Sequence, residues 1–373
     1  MNPYSVGTFV GRVWRGDVNG PALVLLRDDV IVDVTCRNVA TMCDLLELDD
    51  PVAWLSAQAG EPLGPLSQIF AGNKAHLLAP CDLQVVKACG VTFARSMIER
   101  VIEEKAAGNP ALAVKVRERV TAIIGDSLRN LKAGSPDATR VKAALIEEGI
   151  WSQYLEVGIG PDAEVFTKAP VLSSVGHGAE VGLHPISKWN NPEPEIVLAV
   201  DSKGRVKGAT LGNDVNLRDV EGRSALLLGK AKDNNASCSI GPFIRLFDDT
   251  YGIESVRNAR LDLLIEGEDG FVLRGHSTMT EISRDPLDLV SQTIGKHHQY
   301  PDGFMLFMGT LFAPVEDRDT RGQGFTHKNG DVVTISNAEL GALTNTVRLS
   351  TECAPWTFGM ADLMRNLAGR GLL

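Results

Sequence analysis

The sequence predicts an α+β fold that is mostly β. Beyond residue 157, short apolar runs alternate with frequent glycine and proline, which is typical of many short strands joined by turns. Patterns with a helical period are concentrated in an insertion at about residues 97–150. Many short strands with few helices favour a β-sandwich or β-roll over a doubly wound sheet. The glycine-rich loop at residues 173–192 lacks the spacings of nucleotide-binding loops, so it does not indicate a nucleotide site.

Length, composition and charge restrict the class of protein. The chain has 373 residues, enough for two domains with a sizeable core, and it is 44% hydrophobic and 23% charged. Its net charge of −10 comes without a basic tract, which argues against a nucleic-acid partner. The sequence contains no run of about 18 apolar residues, so it predicts no transmembrane helix, and the N-terminus lacks the features of a signal peptide. We therefore expect a cytoplasmic protein that binds a small molecule and neither nucleic acid nor membrane.

Cysteine usage agrees with that compartment. The cysteines are scattered and no two of them have a CxxC spacing; they are Cys36, Cys43, Cys81, Cys89, Cys238 and Cys353. Reduced thiols packed in the core are expected in a cytoplasmic protein. No zinc site follows from this spacing.

Residues 1–85 are expected to form a small β-rich N-terminal domain, and residues 86–373 a larger domain. The segment 22–34 predicts two apolar strands on either side of an Asp-Asp turn. Short helices are predicted at residues 41–48 and 52–59.

The insertion predicts three helices, at residues 96–105, 111–131 and 138–148. Asn109–Pro110 and Gly134–Pro136 separate them, since proline ends a helical pattern. The helices are charged and only moderately apolar. They form either a solvated cover packed along one side of the larger domain or a movable lid, and the packed cover is favoured.

A predicted hairpin brings acidic residues together. Glu193 and Glu195 lie two apart at the start of an apolar strand, so their side chains share one face. A tight turn is predicted at 201–204, and a second strand then leads to Asp214. Antiparallel pairing about this turn places Asp214 beside Glu193. The prolines on either side of Glu193 indicate that the strand begins at an edge or lines a site.

Three converging carboxylates predict a metal site. Like charges a few Å apart raise one another's pKa and repel unless a cation lies between them. An acidic, all-oxygen environment suits Mg²⁺ or Mn²⁺ rather than zinc. The alternative is that these residues are ordinary solvated turn residues, and a change of one residue in the turn moves Asp214 to the other face.

Six short motifs, in order along residues 88–350, resemble the fumarylacetoacetate hydrolase superfamily. They include the Glu-x-Glu and Asn-Asp pairs of the hairpin, and the remaining matches lie on both sides of it. The matching segments are Thr92–Ser96, Glu193–Glu195, Asn213–Asp214 with Arg218, Asp219 and Glu221, Lys232 with Asn234–Cys238, Gly309–Thr310, and Asn329–Ile335.

The resemblance implies a mixed β-roll catalytic domain with a helical lid insertion, behind a smaller N-terminal domain. It implies a homodimer or a higher homo-oligomer. It also implies Mg²⁺, with Mn²⁺ as the alternative, on Glu193, Glu195 and Asp214, and a substrate with a 2-oxo-carboxylate head. A metal on the C2 oxygen of such a substrate is a Lewis acid that stabilises an enolate.

The resemblance assigns expected roles to further residues. Lys232 pairs with the substrate carboxylate or with the developing enolate oxygen, and Thr310 donates a hydrogen bond to the carboxylate. Arg218 and Glu221 either line the site or pair with each other. His184, in the glycine-rich loop, is a candidate for substrate binding, although a loop histidine is more often structural.

The pattern departs from the family's hydrolases at the start of the lid helix. There the hydrolases have a histidine followed three residues later by a glutamate, and these activate water. Here Ser96 and Glu99 occupy those positions. A serine hydroxyl has no useful basicity near neutral pH, so a reaction without a nucleophilic water is favoured. The run from Lys188 to Glu195 also resembles the branch that acts on 2-keto-3-deoxy sugar acids.

The expected function is metal-dependent dehydration of a 2-keto-3-deoxy aldonic acid, a pentonate, to an oxo-acid semialdehyde through a metal-stabilised enolate. In this hypothesis Glu99 is the base that takes a C3 proton, and Ser96, Arg95 or a bound water assists departure of the C4 hydroxyl. One alternative is a hydrolase of acylpyruvates or diketo-deoxy sugar acids in which His177 or His184 replaces the missing histidine. A second alternative is a non-catalytic homologue that binds 2-oxo acids.

Overall fold

The computed structural model describes residues 3–72, 75–107, 109–124, 131–310, 314, 316–319 and 324–373. The strands are β1 (Phe9–Arg15), β2 (Gly20–Arg27), β3 (Val30–Asp33), β4 (Glu61–Pro65), β5 (Ala75–Leu78), β6 (Val85–Cys89), β7 (Val165–Ala169), β8 (Glu180–Leu183), β9 (Pro194–Val200), β10 (Val206–Asp214), β11 (Cys238–Leu246), β12 (Arg260–Glu266), β13 (Val272–Thr278), β14 (Phe304–Phe307), β15 (Val332–Asn337) and β16 (Gly341–Leu349). The α-helices are α1 (Met42–Glu47), α2 (Pro51–Ser56), α3 (Leu66–Phe70), α4 (Ala94–Lys105), α5 (Pro110–Ile124), α6 (Pro136–Glu147), α7 (Gln153–Ile159), α8 (Arg218–Glu221), α9 (Leu228–Lys232), α10 (Ile253–Arg257), α11 (Pro286–Thr293) and α12 (Met360–Gly369).

The strands form two mixed sheets. The larger has the order β4-β3-β2-β1-β11-β10-β9-β14-β6-β7, with β5 paired to β1, and the smaller has the order β13-β12-β15-β16-β8. Parallel pairs occur in both, at β14–β6 and β16–β8. A buried apolar cluster joins the two sheets, since Ile196 and Leu198 of β9 share it with Leu263, Ile335 and Leu343 of the smaller sheet. The predicted fold class, mostly β with added helices, is confirmed.

The N-terminal strands continue the larger sheet. β1 pairs antiparallel with β11 through Phe9–Arg245 and Val10–Ile244. Helix α1 also reaches the β9–β10 turn, where the Ser202 amide and hydroxyl donate to the Glu47 carboxylate at 2.6 and 2.7 Å. The strands before and after residue 85 therefore share one sheet, and a domain boundary there stays a prediction.

The β9–β10 hairpin has the predicted register. The turn closes with a hydrogen bond from the Gly204 amide to the Asp201 carbonyl at 3.0 Å. Gly204 has a φ of 78°, which a residue with a side chain adopts only with strain. At the other end the Asp214 amide donates to the Glu193 carbonyl at 3.0 Å. The predicted placement of Asp214 beside Glu193 is confirmed.

The helical insertion has a buried cluster of its own. Met97 and Val101 of α4 pack with Leu155 and Ile159 of α7 and with Trp189 of the loop before β9. Proline begins α5 and α6, where the sequence predicts new helices. Part of the predicted 111–131 helix, residues 125–130, lies outside the described residues. The helices pack as a cover in this structure, and movement as a lid stays a prediction.

The elements that the sequence did not predict include β8 and α12. The stretch 173–192, predicted as a loop, contains β8, which pairs parallel with β16. The glycines of this stretch are typical of a loop, so the strand is not predicted. Gly182 is required in the strand because a Cβ would lie 2.2 Å from the Asn235 carbonyl oxygen. Helix α12 was also not predicted, and it buries Leu363 and Leu367.

The remaining general expectations concern thiols and membranes. All six cysteines are free, as predicted. Among the described residues, every helix is too short or too polar to cross a bilayer.

Candidate metal centre and active site

Three carboxylates meet at the open end of the β9–β10 hairpin. Glu193 immediately precedes β9, Glu195 is the second residue of β9, and Asp214 ends β10. One oxygen from each carboxylate lies within 4.8 Å of the other two, and all three residues are buried. The predicted convergence of these side chains is therefore confirmed.

Glu195 carries the clearest electrostatic sign of this crowding. Burial raises its pKa well above the ordinary value, and the charges of Asp214 and Glu193 raise it further. Hydrogen bonds from the Gly309 amide at 2.7 Å and the Thr310 hydroxyl at 3.5 Å hold its two oxygens. Burial and the two neighbouring carboxylates thus disfavour the ionised form of Glu195.

The donor set fits a hard divalent cation. Carboxylate oxygens are the ligands that Mg²⁺ and Mn²⁺ prefer, and a cation among them removes the repulsion that raises the pKa of Glu195. Glu193, Glu195 and Asp214 are the residues that would hold the ion.

Two buried lysines flank the carboxylates. The Nζ atom of Lys232 lies 2.5 Å from Glu193 Oε2 and 3.0 Å from Asp214 Oδ2. Burial alone would lower the pKa of Lys232, but the charges of Asp214 and Glu193 outweigh it and the pKa is raised. Lys168 Nζ lies 2.8 Å from Asp214 Oδ1. The sequence predicts Lys232 at the site but not Lys168. The signal for Lys168 is a lysine inside the short strand β7.

An arginine of the helical cover enters the same site. Arg100 of α4 donates hydrogen bonds to Glu193 and, at 2.6 Å, to Glu103, and its Nη1 lies 3.2 Å from Glu221. Arg218 donates to Glu103 at 2.6 Å, and its guanidinium lies 4.6 Å from the centre of the Trp189 ring. Sequence reasoning missed Arg100 and Glu103, because a charged helix pattern is usually a solvated face.

The two residues predicted to begin the lid helix are engaged in other contacts. Ser96 donates a hydrogen bond to the Thr310 carbonyl at 2.7 Å. The Glu99 carboxylate accepts hydrogen bonds from Arg117 at 2.7 Å and from Arg218 at 3.3 Å. Nothing is described for the Arg95 side chain, which lies outside the described part of the structure. Catalytic roles for these residues stay predictions.

The predicted substrate-binding residues fall into two groups. Thr310, Arg218, Glu221 and Lys232 are connected to the three carboxylates by the contacts above. His184 instead accepts a hydrogen bond from the Ile186 amide at 3.2 Å and has its Nε2 3.4 Å from Lys230 Nζ. It stays a candidate by position in the sequence only.

His177, the other loop histidine, stacks on Phe70 with ring centres 4.5 Å apart, and burial lowers its pKa. Its Nδ1 accepts a hydrogen bond from the Thr344 amide at 3.2 Å. These contacts give His177 a structural role.

Two further carboxyl groups near the site have raised pKa values. Burial raises the pKa of Glu221 to about 7, against the opposing effect of Arg100 and Lys232. Burial also raises the pKa of Glu164, and Lys232 is the largest opposing influence. Glu164 was not predicted as a site residue, because it precedes β7 without any acidic neighbour in a recognisable motif.

Two known proteins are similar to this chain in sequence. A probable 2-keto-3-deoxyxylonate dehydratase of Haloferax volcanii is 29% identical over 257 residues, which cover 69% of this chain and 84% of that protein. A 2-dehydro-3-deoxy-D-arabinonate dehydratase of Saccharolobus solfataricus is 30% identical over 185 residues, which cover 50% of this chain and 58% of that protein.

Solved structures match the fold over most of the chain. The apo form of a 2-keto-3-deoxy-D-arabinonate dehydratase is 20% identical with a TM-score of 0.65, covering 92% of this chain and 99% of the other. A complex of a 2-keto-3-deoxy-D-arabinonate dehydratase with magnesium and 2,5-dioxopentanoate has a TM-score of 0.64 over the same shares. The family model for the C-terminal domain of fumarylacetoacetate hydrolase matches residues 156–348, more than half of the sequence, and the chain therefore belongs to the fumarylacetoacetate hydrolase family.

Proposed function

We propose that the protein is a Mg²⁺-dependent dehydratase that converts a 2-keto-3-deoxy aldonic acid, a pentonate, into an oxo-acid semialdehyde. The observation that carries this proposal is the buried group Glu193, Glu195 and Asp214, with Lys232 bridging two of its members. The names of the two curated relatives support the same reaction and substrate class. Mn²⁺ is the alternative ion.

The charges of the site suit a divalent cation. Ion pairs among the described residues connect Glu193 and Asp214 to other charges on α4, α5, α8, α9 and β7. The acidic members are Glu99, Glu103, Glu193, Glu195, Asp214 and Glu221, and the basic members are Arg100, Arg117, Lys168, Arg218 and Lys232. The acidic members outnumber the basic ones, and the partly buried Glu164 carboxyl lies close enough to Lys232 to be influenced by it, so the site favours the binding of a cation.

The residues of the chain then share the chemistry. A divalent ion bound by the carboxylates supplies a Lewis acid for the 2-oxo group, which makes the C3 protons acidic. Lys232 donates a hydrogen bond to the oxygen on which negative charge develops, and the Thr310 turn binds the substrate carboxylate. Loss of a C3 proton and of the C4 hydroxyl, which leaves with a proton as water, gives an unsaturated 2-oxo acid. Transfer of a proton from C5 to C3 gives an enol between C4 and C5, and transfer of the O5 hydroxyl proton to C4 completes the semialdehyde.

Two carboxyl groups are candidates for these proton transfers. For Glu99 to act as the base, Arg117 and Arg218 must release its carboxylate when substrate binds. Ser96 supports this site by fixing the Thr310 carbonyl, and Arg95 adjoins it in the sequence. Glu221 is the second candidate, because a pKa of about 7 suits proton transfer near neutral pH.

The test is a panel of 2-keto-3-deoxy acids and acylpyruvates incubated with Mg²⁺, with and without a chelator, and analysed by mass. Dehydration gives one product that has lost one water, and the chelator stops its formation. Pyruvate together with a second acid indicates a hydrolase instead. Binding of the acids without turnover, with metal present, indicates a non-catalytic homologue.

We also propose that the enzyme is a cytoplasmic homodimer. Six free thiols support a reducing compartment. The family resemblance supports the dimer, and light scattering of the purified protein tests it. A monomeric mass at micromolar concentration would contradict the assembly.

A further inference from the structure

Arg100 is placed unusually for a residue of a covering helix. Its side chain is 8% exposed and its guanidinium lies among three carboxylates, those of Glu103, Glu193 and Glu221. Glu193 is one of the three clustered residues that would hold the metal. A cation carried by α4 is thus bound directly to a candidate metal ligand.

We propose that Arg100 is an exchangeable counter-ion of the metal site. It neutralises Glu193 in the metal-free protein, gives up this contact when a divalent cation binds, and then uses the released N–H to bind an oxygen of the 2-oxo acid. The first half concerns the metal alone, and the second half rests on the proposed function.

Competition follows from the occupancy of Glu193. One of its oxygens accepts a hydrogen bond from Arg100 and the other accepts one from Lys232 at 2.5 Å. A divalent cation needs a carboxylate oxygen that is now bound to one of these two side chains. The metal competes with these two cations for Glu193, and repulsion between the metal and the guanidinium favours loss of the Arg100 hydrogen bond, which weakens the apparent affinity for the metal.

Arg100 is better suited than Lys232 to leave. Without Glu193, Arg100 keeps Glu103 at 2.6 Å on its own helix and Glu221 at 3.2 Å. Its planar guanidinium has several donors, so it holds these partners while one N–H points away. Lys232 has a single ammonium group, which stays between the Asp214 and Glu193 carboxylates.

The Arg100 N–H group that leaves Glu193 favours a particular kind of ligand after the metal has bound. A buried guanidinium N–H without an acceptor is costly, so the site gains most from a ligand that brings an anionic or hydroxyl oxygen. The carboxylate and the hydroxyl groups of a 2-oxo sugar acid supply such oxygens. Metal and substrate consequently bind in order, the metal first.

The metal half is tested by titrating the substrate-free protein with Mn²⁺ and measuring free Mn²⁺ by electron paramagnetic resonance. We expect Arg100→Gln to bind Mn²⁺ about tenfold or more tightly than the wild type, since the competing hydrogen bond is gone. Arg348→Gln is the control, because Arg348 pairs with Glu180 at the surface and not with one of the three clustered carboxylates, and it should leave the affinity unchanged. Unchanged or weaker binding by Arg100→Gln, with the far-UV circular dichroism of the wild type, overturns the proposal.

The ligand half is tested by calorimetric titration with oxalate, which presents carboxylate oxygens like those of a 2-oxo acid, at saturating Mg²⁺. We expect Arg100→Gln to weaken oxalate binding about tenfold and Arg100→Lys to restore part of it. Equal affinity for oxalate in the wild type and Arg100→Gln overturns this half. If the wild type dehydrates none of the 2-oxo acids, the proposed function fails, while both titrations still report on Arg100.

Discussion

Glu195 differs from its two neighbours in what faces its carboxylate. Lys232 lies between Glu193 and Asp214, but the partners of Glu195 among the described residues are a backbone amide and a hydroxyl. Its charge is therefore the least compensated in the metal-free protein, and a bound cation benefits it most. Two predictions at the residue scale distinguish a side chain that binds the metal from one that stabilises the fold.

Glu195→Gln should stabilise the metal-free protein and abolish its response to metal. Removal of one of three like charges relieves repulsion, and we expect the melting temperature in chelator to rise by about 2 °C or more. The rise that Mg²⁺ gives to the wild type should disappear, because one metal ligand is lost. Differential scanning calorimetry with and without Mg²⁺ measures both.

The matched control for Glu195→Gln is Glu180→Gln, since Glu180 pairs with Arg348 on the surface. It should keep the Mg²⁺ response of the wild type. A full Mg²⁺ response in Glu195→Gln would remove this residue from the metal site.

Lys168→Met should destabilise the protein strongly. Lys168 has no exposed surface and pairs with Asp214, so its loss leaves a buried carboxylate with one cation fewer. Breaking a buried ion pair costs about 3 kcal/mol or more of the free energy of unfolding. Urea denaturation measures it, with Lys87→Met as control, because Lys87 donates to the Thr167 hydroxyl at the surface. Similar losses in the two variants would contradict a special role for Lys168.

The β9–β10 hairpin shows how far elements follow from sequence. Its turn, its register and the shared face of Glu193 and Glu195 were all predictable, since each depends on residues close together in the chain. Arg100 and Lys168 were not, because long side chains cross between elements that are distant in sequence. A local pattern specifies which element carries a charge, but not which remote carboxylate that charge reaches.

The segment that leads into β15 holds a second buried charged group. The Asp331 carboxylate lies 3.0 Å from His327 Nδ1 and 2.5 Å from Arg318. Burial works against its charge, but hydrogen bonds from His327 and Arg318 lower its pKa to about 2. Burial also lowers the pKa of His327, against the opposing effect of Asp331. The His327 amide donates to Asn190 Oδ1 at 3.2 Å, which ties this segment to the chain before the metal hairpin.

Stability should consequently fall as the pH drops below about 6.5. The unfolded chain then protonates His327 at its ordinary pKa, whereas the folded protein does so only at lower pH, and this favours unfolding. We expect His327→Gln to depend less steeply on pH between 7.5 and 5, although it is less stable throughout. Urea denaturation at several pH values measures the slopes. His276→Gln, at an exposed position on β13, should keep the wild-type slope, and equal slopes in all three proteins would contradict the assignment.

At the scale of the whole molecule, the sequence predicts the kinds of secondary structure better than it predicts which distant strands pair. The mostly β class and the covering helices followed from periodicity and punctuation by glycine and proline. The pairing of β1 with β11 joins opposite halves of the chain, and local patterns do not encode such a partner. The change in pattern near residue 85 predicts a domain boundary there, but it carries no information about the sheet, which contains strands from both sides of this position.

That pairing has a consequence for any attempt to shorten the protein. A fragment starting at residue 86 would lose the β1 partner of Ile244 and Arg245, so the backbone groups of this end of β11 that now pair with β1 would face solvent. Such an open strand edge is a template onto which other chains add. The first 85 residues therefore cover a strand edge onto which disordered or misfolded chains would otherwise add.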